Sequence, residues 1–181
     1  MPAFLSFLTV GLAEVWAATL LPAWIAWLFL WAGVSTSWVA LAYLLRRPGL
    51  LGKHVPWLAF VFLWPFLLFA RGASFVALRM MRERVEVVPG LWVGGWPRAG
   101  APGLAQLDLT AELPRRGDAL RYRNIPMLDG TAPHAKAWTE AVEQAVAWRR
   151  EGLPVLVHCA YGHGRSVMVV IGVLVAEGVV G

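Results

Sequence analysis

The stretch Val155–Val170, VLVHCAYGHGRSVMVV, decides how this chain is read. It opens on Leu153-Pro154-Val155-Leu156-Val157, a β-branched run of the kind that forms a central buried strand. The run leads into Cys159-Ala160-Tyr161-Gly162-His163-Gly164-Arg165-Ser166 and then into an apolar helix over 167–176. A strand, a tight loop and a helix N-terminus together make an anion site, because loop N–H groups point inward and the helix dipole adds positive charge. Gly162 and Gly164 are expected to take backbone angles that a side chain would penalise. Phosphate is the natural anion for such a cradle.

Each conspicuous side chain then acquires a role. Cys159, the only cysteine of the chain, begins the loop, where the dipole, the inward N–H groups and Arg165 all favour the thiolate nucleophile. Arg165 presents a planar fork matching two phosphate oxygens and stabilises equatorial charge as the phosphoryl group transfers. Ser166 is placed to donate to the sulfur when it must leave. The departing alkoxide needs a proton, and Asp129 in Ile125-Pro126-Met127-Leu128-Asp129-Gly130-Thr131, about thirty residues upstream, is the candidate general acid. The backbone of Ala160, Tyr161, Gly162, His163, Gly164 and Arg165 would bind phosphoryl oxygens. His163 either faces substrate or serves as a solvent-facing spacer.

Other residues fit blander roles. Asp108 and Glu112 are conceivable alternative acids, but structural roles are expected of both. His134 and His54 have no metal-like companions and read as surface loop residues. Trp138 and Trp148, at helical spacing, are expected in the core. One cysteine excludes an intrachain disulfide framework and a cysteine-based metal site. The chemistry described requires no metal and no cofactor.

Around this core the 181 residues are unevenly built. The chain is 59% hydrophobic and 15% charged, with a mean hydropathy of +0.60. Seven of its eleven tryptophans precede residue 65, and Glu14 is the one charged side chain in residues 1–45. Residues 1–84 hold seven basic and two acidic groups, so the whole net charge of +5 lies there; residues 85–181 balance. Basic groups beside apolar segments suit a membrane with anionic headgroups and argue against a nucleic-acid partner for the C-terminal domain. MPAFLSFL lacks a basic leader, so the N-terminus is expected to be retained.

Residues 1–84 thus read as a membrane segment. The apolar run 3–45 suits two spans in a hairpin broken at Pro22, near 3–21 and 23–45, since a bilayer core of ~30 Å takes ~20 helical residues. Glu14 is expected to reach the interface. A third apolar run over 55–70, interrupted by Pro65, is short for a span. Basic clusters on both sides of it favour an in-plane or re-entrant helix, with a third span as the alternative, followed by a basic juxtamembrane stretch, 71–84. From residue 85 the pattern turns α/β: strands over 85–88, 91–93, 104–109, 122–125 and 155–158, and a helix over 135–150.

His158-Cys159, five residues, then Arg165-Ser166 resembles the signature loop of the cysteine-dependent protein tyrosine phosphatase superfamily. The upstream aspartate and the short domain look like its dual-specificity branch. Similarity extends through VVPGLWVGGWP (87–97), LDLTAEL (107–113) and IPMLDGTAP (125–133), and points to bacterial dual-specificity-like phosphatases with an N-terminal membrane segment. The resemblance covers about 85–178. It implies an α/β sheet flanked by helices, Cys159 as nucleophile, Asp129 as general acid, Arg165 as phosphate ligand, and His158 as support for loop and cysteine. It implies phosphomonoester hydrolysis through a cysteinyl-phosphate intermediate at the bacterial inner membrane, and the basic clusters on both sides of 55–70 lead us to expect the domain on the cytoplasmic face. The expected substrate is a phospholipid headgroup phosphate, since the membrane segment would hold the site at the bilayer; the loop lacks the lysines found in family members that bind inositol phosphates, which counts against a polyphosphoinositide. A phosphotyrosine or phosphoserine/threonine protein is the alternative, and a catalytically idle phosphate-binding module is another. Domains of this branch usually continue through further helices, so this one is expected to be short at its C-terminus. Its last helix, apolar all round, then expects cover from a partner or the membrane segment. The sequence is silent on self-association.

Overall fold

The computed structural model of the protein describes residues 3–52, 57–80 and 84–180; Lys53, His54, Arg82 and Glu83 lie outside the described residues. The chain divides into two compact units, Met1–Gly72 and Ala73–Gly181.

The first unit is helical. α1 spans Ala3–Ala18 and α2 spans Ala23–Leu44. Pro22 stands between them with φ −55° and ψ 145°, an extended conformation that ends one helix and admits the next. The two helices meet at small residues: a Cβ on Gly33 would lie 2.9 Å from Gly11 O and 2.6 Å from Val15 Cγ2. Glycine therefore lets the backbones approach, the device by which helices pack without a hydrophobic driving force. The outward surface stays apolar, with Trp16, Trp24 and Trp27 all exposed near the hairpin turn. Among the described residues one helix, α2, is long and apolar enough to cross a membrane. α1, at 16 residues, is about 24 Å long, short of the predicted span. Glu14 is half-buried, and its Oε2 is enclosed and lacks a hydrogen-bond partner among the described residues. α3 spans Trp57–Met80, longer than the apolar run 55–70. Arginine is a good helix former, so the helix continues past Arg71 to the last turn at Arg79.

The second unit is the predicted α/β layer structure. Its strands are β1 (Arg84–Val88), β2 (Leu91–Gly94), β3 (Ala105–Asp108), β4 (Arg121–Asn124) and β5 (Val155–His158). They form one sheet in the order β1-β2-β5-β3-β4, antiparallel at β1 and parallel elsewhere. β5 is central and buried throughout. Two helices, α4 (Ala135–Arg150) and α5 (Arg165–Ala176), cover one face. Ala141, Val142 and Trp148 of α4 join Val169, Val173 and Leu174 of α5 over Leu107, Val155 and Val157 of the strands. The helices touch closely at Gly172, where a Cβ would lie 2.6 Å from the Trp138 ring. Trp138 is accordingly half-buried at the helix seam, with its Nε1 donating to Met168 O at 3.2 Å; only Trp148 is fully in the core. On the outer side of α5, Ile171 and Val175 are exposed, so this helix is covered on one side only.

The register places the site. His158 pairs with Gly94 on one side and Asp108 on the other, so the C-terminal ends of the central strands lie level. Ligands of parallel sheets bind beyond such ends.

Candidate active site

The loop joins β5 to α5 at that edge. Its path is fixed by Gly162, whose φ is +81° and whose Cβ, were there one, would lie 2.8 Å from Gly94 C and Gly95 N. Glycine satisfies both the left-handed angle and the close approach. The same expectation does not hold for Gly164, which caps α5 with φ −101°. A Cβ there would stand 3.8 Å from Asp129 Oδ1, an ordinary van der Waals contact, which places Asp129 directly across from the start of α5.

Cys159 is buried, and its N–H donates to Gly94 O at 3.3 Å. Its Sγ accepts the Gly162 N–H at 3.2 Å and lies 3.3 Å from the Ser166 hydroxyl. One N–H donor and one hydroxyl thus converge on the sulfur next to the N-terminus of α5.

Arg165 is the first residue of α5 and is 1% exposed. A buried guanidinium must be matched donor by donor. Its Nη1 donates to Met127 O at 2.8 Å, Leu109 O at 3.3 Å and Glu112 Oε2 at 3.3 Å. Its Nη2 donates to Glu112 Oε1 at 2.9 Å. Nε is the exception: it has no hydrogen-bond partner among the described residues and faces Asp129 Oδ1 at 3.3 Å. Burial pulls the guanidinium pKa down, but the charges of Glu112, Asp129 and Cys159 outweigh it and hold the group above its ordinary value. Arg165 is therefore permanently charged.

Asp129 follows β4 on a loop anchored at both layers. Met127 N–H donates to Leu109 O at 3.0 Å while Met127 O receives Arg165. Gly130, at φ +64°, turns the chain away directly after it. The carboxylate, 39% exposed, is held over the loop next to Arg165. The structure thus brings Cys159, Ser166, Arg165 and Asp129 together.

The remaining predicted residues take distinct positions. Ala160 is buried against Trp96 and Leu113, with Tyr161 packed on the same cluster, so these side chains face the wall of the site. His163 is exposed on the loop and His134 exposed at the start of α4. His158 is buried, with its Nδ1 4.0 Å from Asp108 Oδ1. Asp108 is itself fully buried, accepting Thr110 N–H (2.8 Å), the Thr110 hydroxyl (2.7 Å) and the Tyr122 hydroxyl (2.7 Å). It stiffens the strand end and is too enclosed to serve as an acid.

Glu112 is the residue that sequence reasoning placed too vaguely. Assigned only a general structural role, it forms the bidentate clamp on Arg165. Its signal was present but faint: one of two carboxylates, with Asp108, in the mostly apolar segment LDLTAEL. Among the described residues no three His, Cys, Asp or Glu side chains gather in a way that could hold a metal ion.

No family model matches the sequence, and no curated protein matches it. Among solved structures the chain is similar to the human tyrosine phosphatase-like serine/threonine/tyrosine-interacting protein, at 20% identity and a TM-score of 0.47. The match covers 56% of this chain and 78% of that one.

Proposed function

We propose that the second unit hydrolyses phosphomonoesters through a cysteinyl-phosphate intermediate. One observation carries this reading: Arg165 is buried and clamped through its Nη atoms, yet its Nε is left without a hydrogen-bond partner beside a cysteine whose sulfur accepts the Gly162 N–H and touches the Ser166 hydroxyl. That donor faces only the part-exposed Asp129 carboxylate, so an incoming phosphate oxygen can take the hydrogen bond that Asp129 does not make.

In the reaction that follows, a phosphoryl group sits on the loop amides and the Arg165 fork. Cys159 Sγ attacks phosphorus as the ester oxygen departs, and Asp129, in its protonated form, gives that oxygen its proton. Asp129, now a carboxylate, takes a proton from water as the water attacks the thiophosphate. Sulfur leaves as thiolate, stabilised by the Ser166 hydroxyl and the Gly162 N–H. Phosphate is released and the protonated acid is regenerated.

The finer reading is a phospholipid headgroup phosphate as substrate, taken at the membrane. The bilayer-length helix α2 and the basic residues of the first 84 positions support it. The test is hydrolysis by the full chain in detergent, first of phenyl phosphate and then of phospholipids and phosphopeptides. Cys159→Ser must abolish turnover, and lipid phosphate must be preferred. Activity equal in wild type and a folded Cys159→Ser protein overturns the enzyme reading.

A further inference from the structure

Beside the site an open groove of about 380 Å³ is lined by Pro133, Ala135, Trp138, Met168 and Ile171. That volume falls within the range of small-molecule sites, roughly 300–1,000 Å³. The groove lies between the start of α4 and the first two turns of α5, and both walls lead directly from the active site. Pro133 follows Asp129 by four residues. Met168 N–H donates to Gly164 O at 3.1 Å, and Gly164 faces Asp129 Oδ1, 3.8 Å from where a Cβ would stand. Met168 is one turn beyond Gly164, about 6 Å along the helix, and Ile171 follows on the same face. The groove therefore opens about one helical turn from the phosphate loop.

Trp138 ties the two walls together. Its ring is seated on Gly172, and its Nε1 donates to Met168 O at 3.2 Å. That bond also decides what the groove can hold. Nε1 is the one strong hydrogen-bonding atom among the lining side chains, and it is spent. The main chain beside it is spent as well: Trp138 N–H on His134 O at 3.0 Å and Met168 N–H on Gly164 O, while Pro133 has no N–H. A peptide laid along these groups would bring an N–H and a C=O with each residue and meet no partner in them. A hydrocarbon chain brings neither, and covering Ile171, which is exposed, gives it a driving force.

We propose that this groove seats the hydrocarbon chain of the alcohol whose phosphate the loop holds. This rests on the phosphatase reading and deepens it: the substrate class is a phosphomonoester whose alkyl or acyl chain begins one short linker from phosphorus. The phosphate sits on the loop amides and Arg165, and the chain runs along Met168 and Ile171. The ester oxygen then lies between loop and groove, on the side where Asp129 stands to protonate it. Gripping the substrate at two points fixes the leaving group against the acid. α2, long and apolar enough to cross a membrane, fits a substrate of this kind.

The experiment uses the full chain in lipid nanodiscs. Hydrolysis of phenyl phosphate, lost in Cys159→Ser, tests the phosphatase reading separately. Ethyl and octyl phosphate are then compared. Each methylene taken out of water is worth about fourfold, so wild type should prefer octyl phosphate by about tenfold or more in kcat/KM, mainly through KM. Ile171→Gln should lower that octyl-to-ethyl ratio by about fivefold or more, and Ile171→Leu should keep it. Partition of octyl phosphate into the disc is common to all variants, so the change in ratio reads the groove. A second readout needs no turnover and no groove variant. In the Cys159→Ser background, octyl phosphate bearing a terminal diazirine is photolysed and the labelled peptides are identified. Label should fall on 133–138 and 168–171 and be displaced by excess inorganic phosphate. An unchanged ratio in folded Ile171→Gln overturns the proposal. So does label elsewhere, or label that phosphate fails to displace, since loop and groove would then not hold one molecule. An equal loss with Ile171→Gln on a phosphotyrosine peptide gives the groove to peptide and overturns it too.

Discussion

Glu112 holds the two terminal nitrogens of Arg165, at 2.9 and 3.3 Å, and leaves Nε as the donor facing the site. The fork is thereby aimed before substrate arrives, so no reorganisation is needed when charge develops. Removing one partner of a buried pair leaves an uncompensated charge, which costs about 3 kcal/mol. Glu112→Ala should lower stability by about that amount in urea unfolding, and Glu112→Gln by less. Both should reduce kcat/KM on phenyl phosphate at least tenfold. Full activity in Glu112→Ala would remove Glu112 from the account.

Asp129 is held over the loop but is still exposed enough to meet a leaving group. Asp129→Asn should slow alkyl phosphates by about a hundredfold or more, the usual scale of general acid catalysis. Activated aryl esters, whose leaving groups need little protonation, should lose less than tenfold. Equal losses on both would assign the acid elsewhere.

The Ser166 hydroxyl lies 3.3 Å from the Cys159 sulfur. It matters most when sulfur departs, so Ser166→Ala should slow breakdown of the intermediate more than its formation. Stopped-flow measurements with an aryl phosphate should show a burst of phenolate followed by a slow steady state. Burst-free kinetics with an unaltered kcat would contradict that role.

The Asp108 network makes a pH prediction. Burial, and then the charge and hydrogen bond of Asp108, push the Tyr122 phenol well above its ordinary value, while Arg115 pulls the other way. In the unfolded chain a tyrosine ionises near pH ~10. The stabilisation from Tyr122 is therefore whole below about pH 10 and is lost as pH rises from there through the folded value. Tyr122→Phe should cost about 1.5 kcal/mol at neutral pH. The gap between variant and wild type should close as pH climbs above about 10, measured by urea unfolding across pH. A gap constant to alkaline pH would contradict the assignment.

Much of the second unit was legible because its elements are local. β5 is a β-branched run and α4 an apolar stripe at threes and fours, and both were bounded correctly from sequence alone. The closeness of Cys159, Arg165 and Ser166 is likewise enforced by short spacing. What escaped is non-local or depends on packing. Glu112 and Arg165 are 53 positions apart, and no periodicity announces their pairing. Trp138 has core spacing but sits at a helix seam, where Gly172 admits its ring without enclosing it. The length of α3 was misjudged because hydropathy ends near residue 70 while helical propensity does not. Asp129 stands opposite Gly164 across the loop, a proximity that sequence spacing cannot show.

The central claim is covalent catalysis at Cys159, and the most direct measurement is to find the intermediate. Ser166→Ala protein is mixed with an aryl phosphate, quenched in acid during the burst, digested and examined by mass spectrometry. The account predicts one phosphoryl group on the peptide containing Cys159, in amount equal to the burst. It predicts none when Cys159 is replaced by serine. A burst with Cys159 unmodified, or turnover that survives Cys159→Ser, would contradict it.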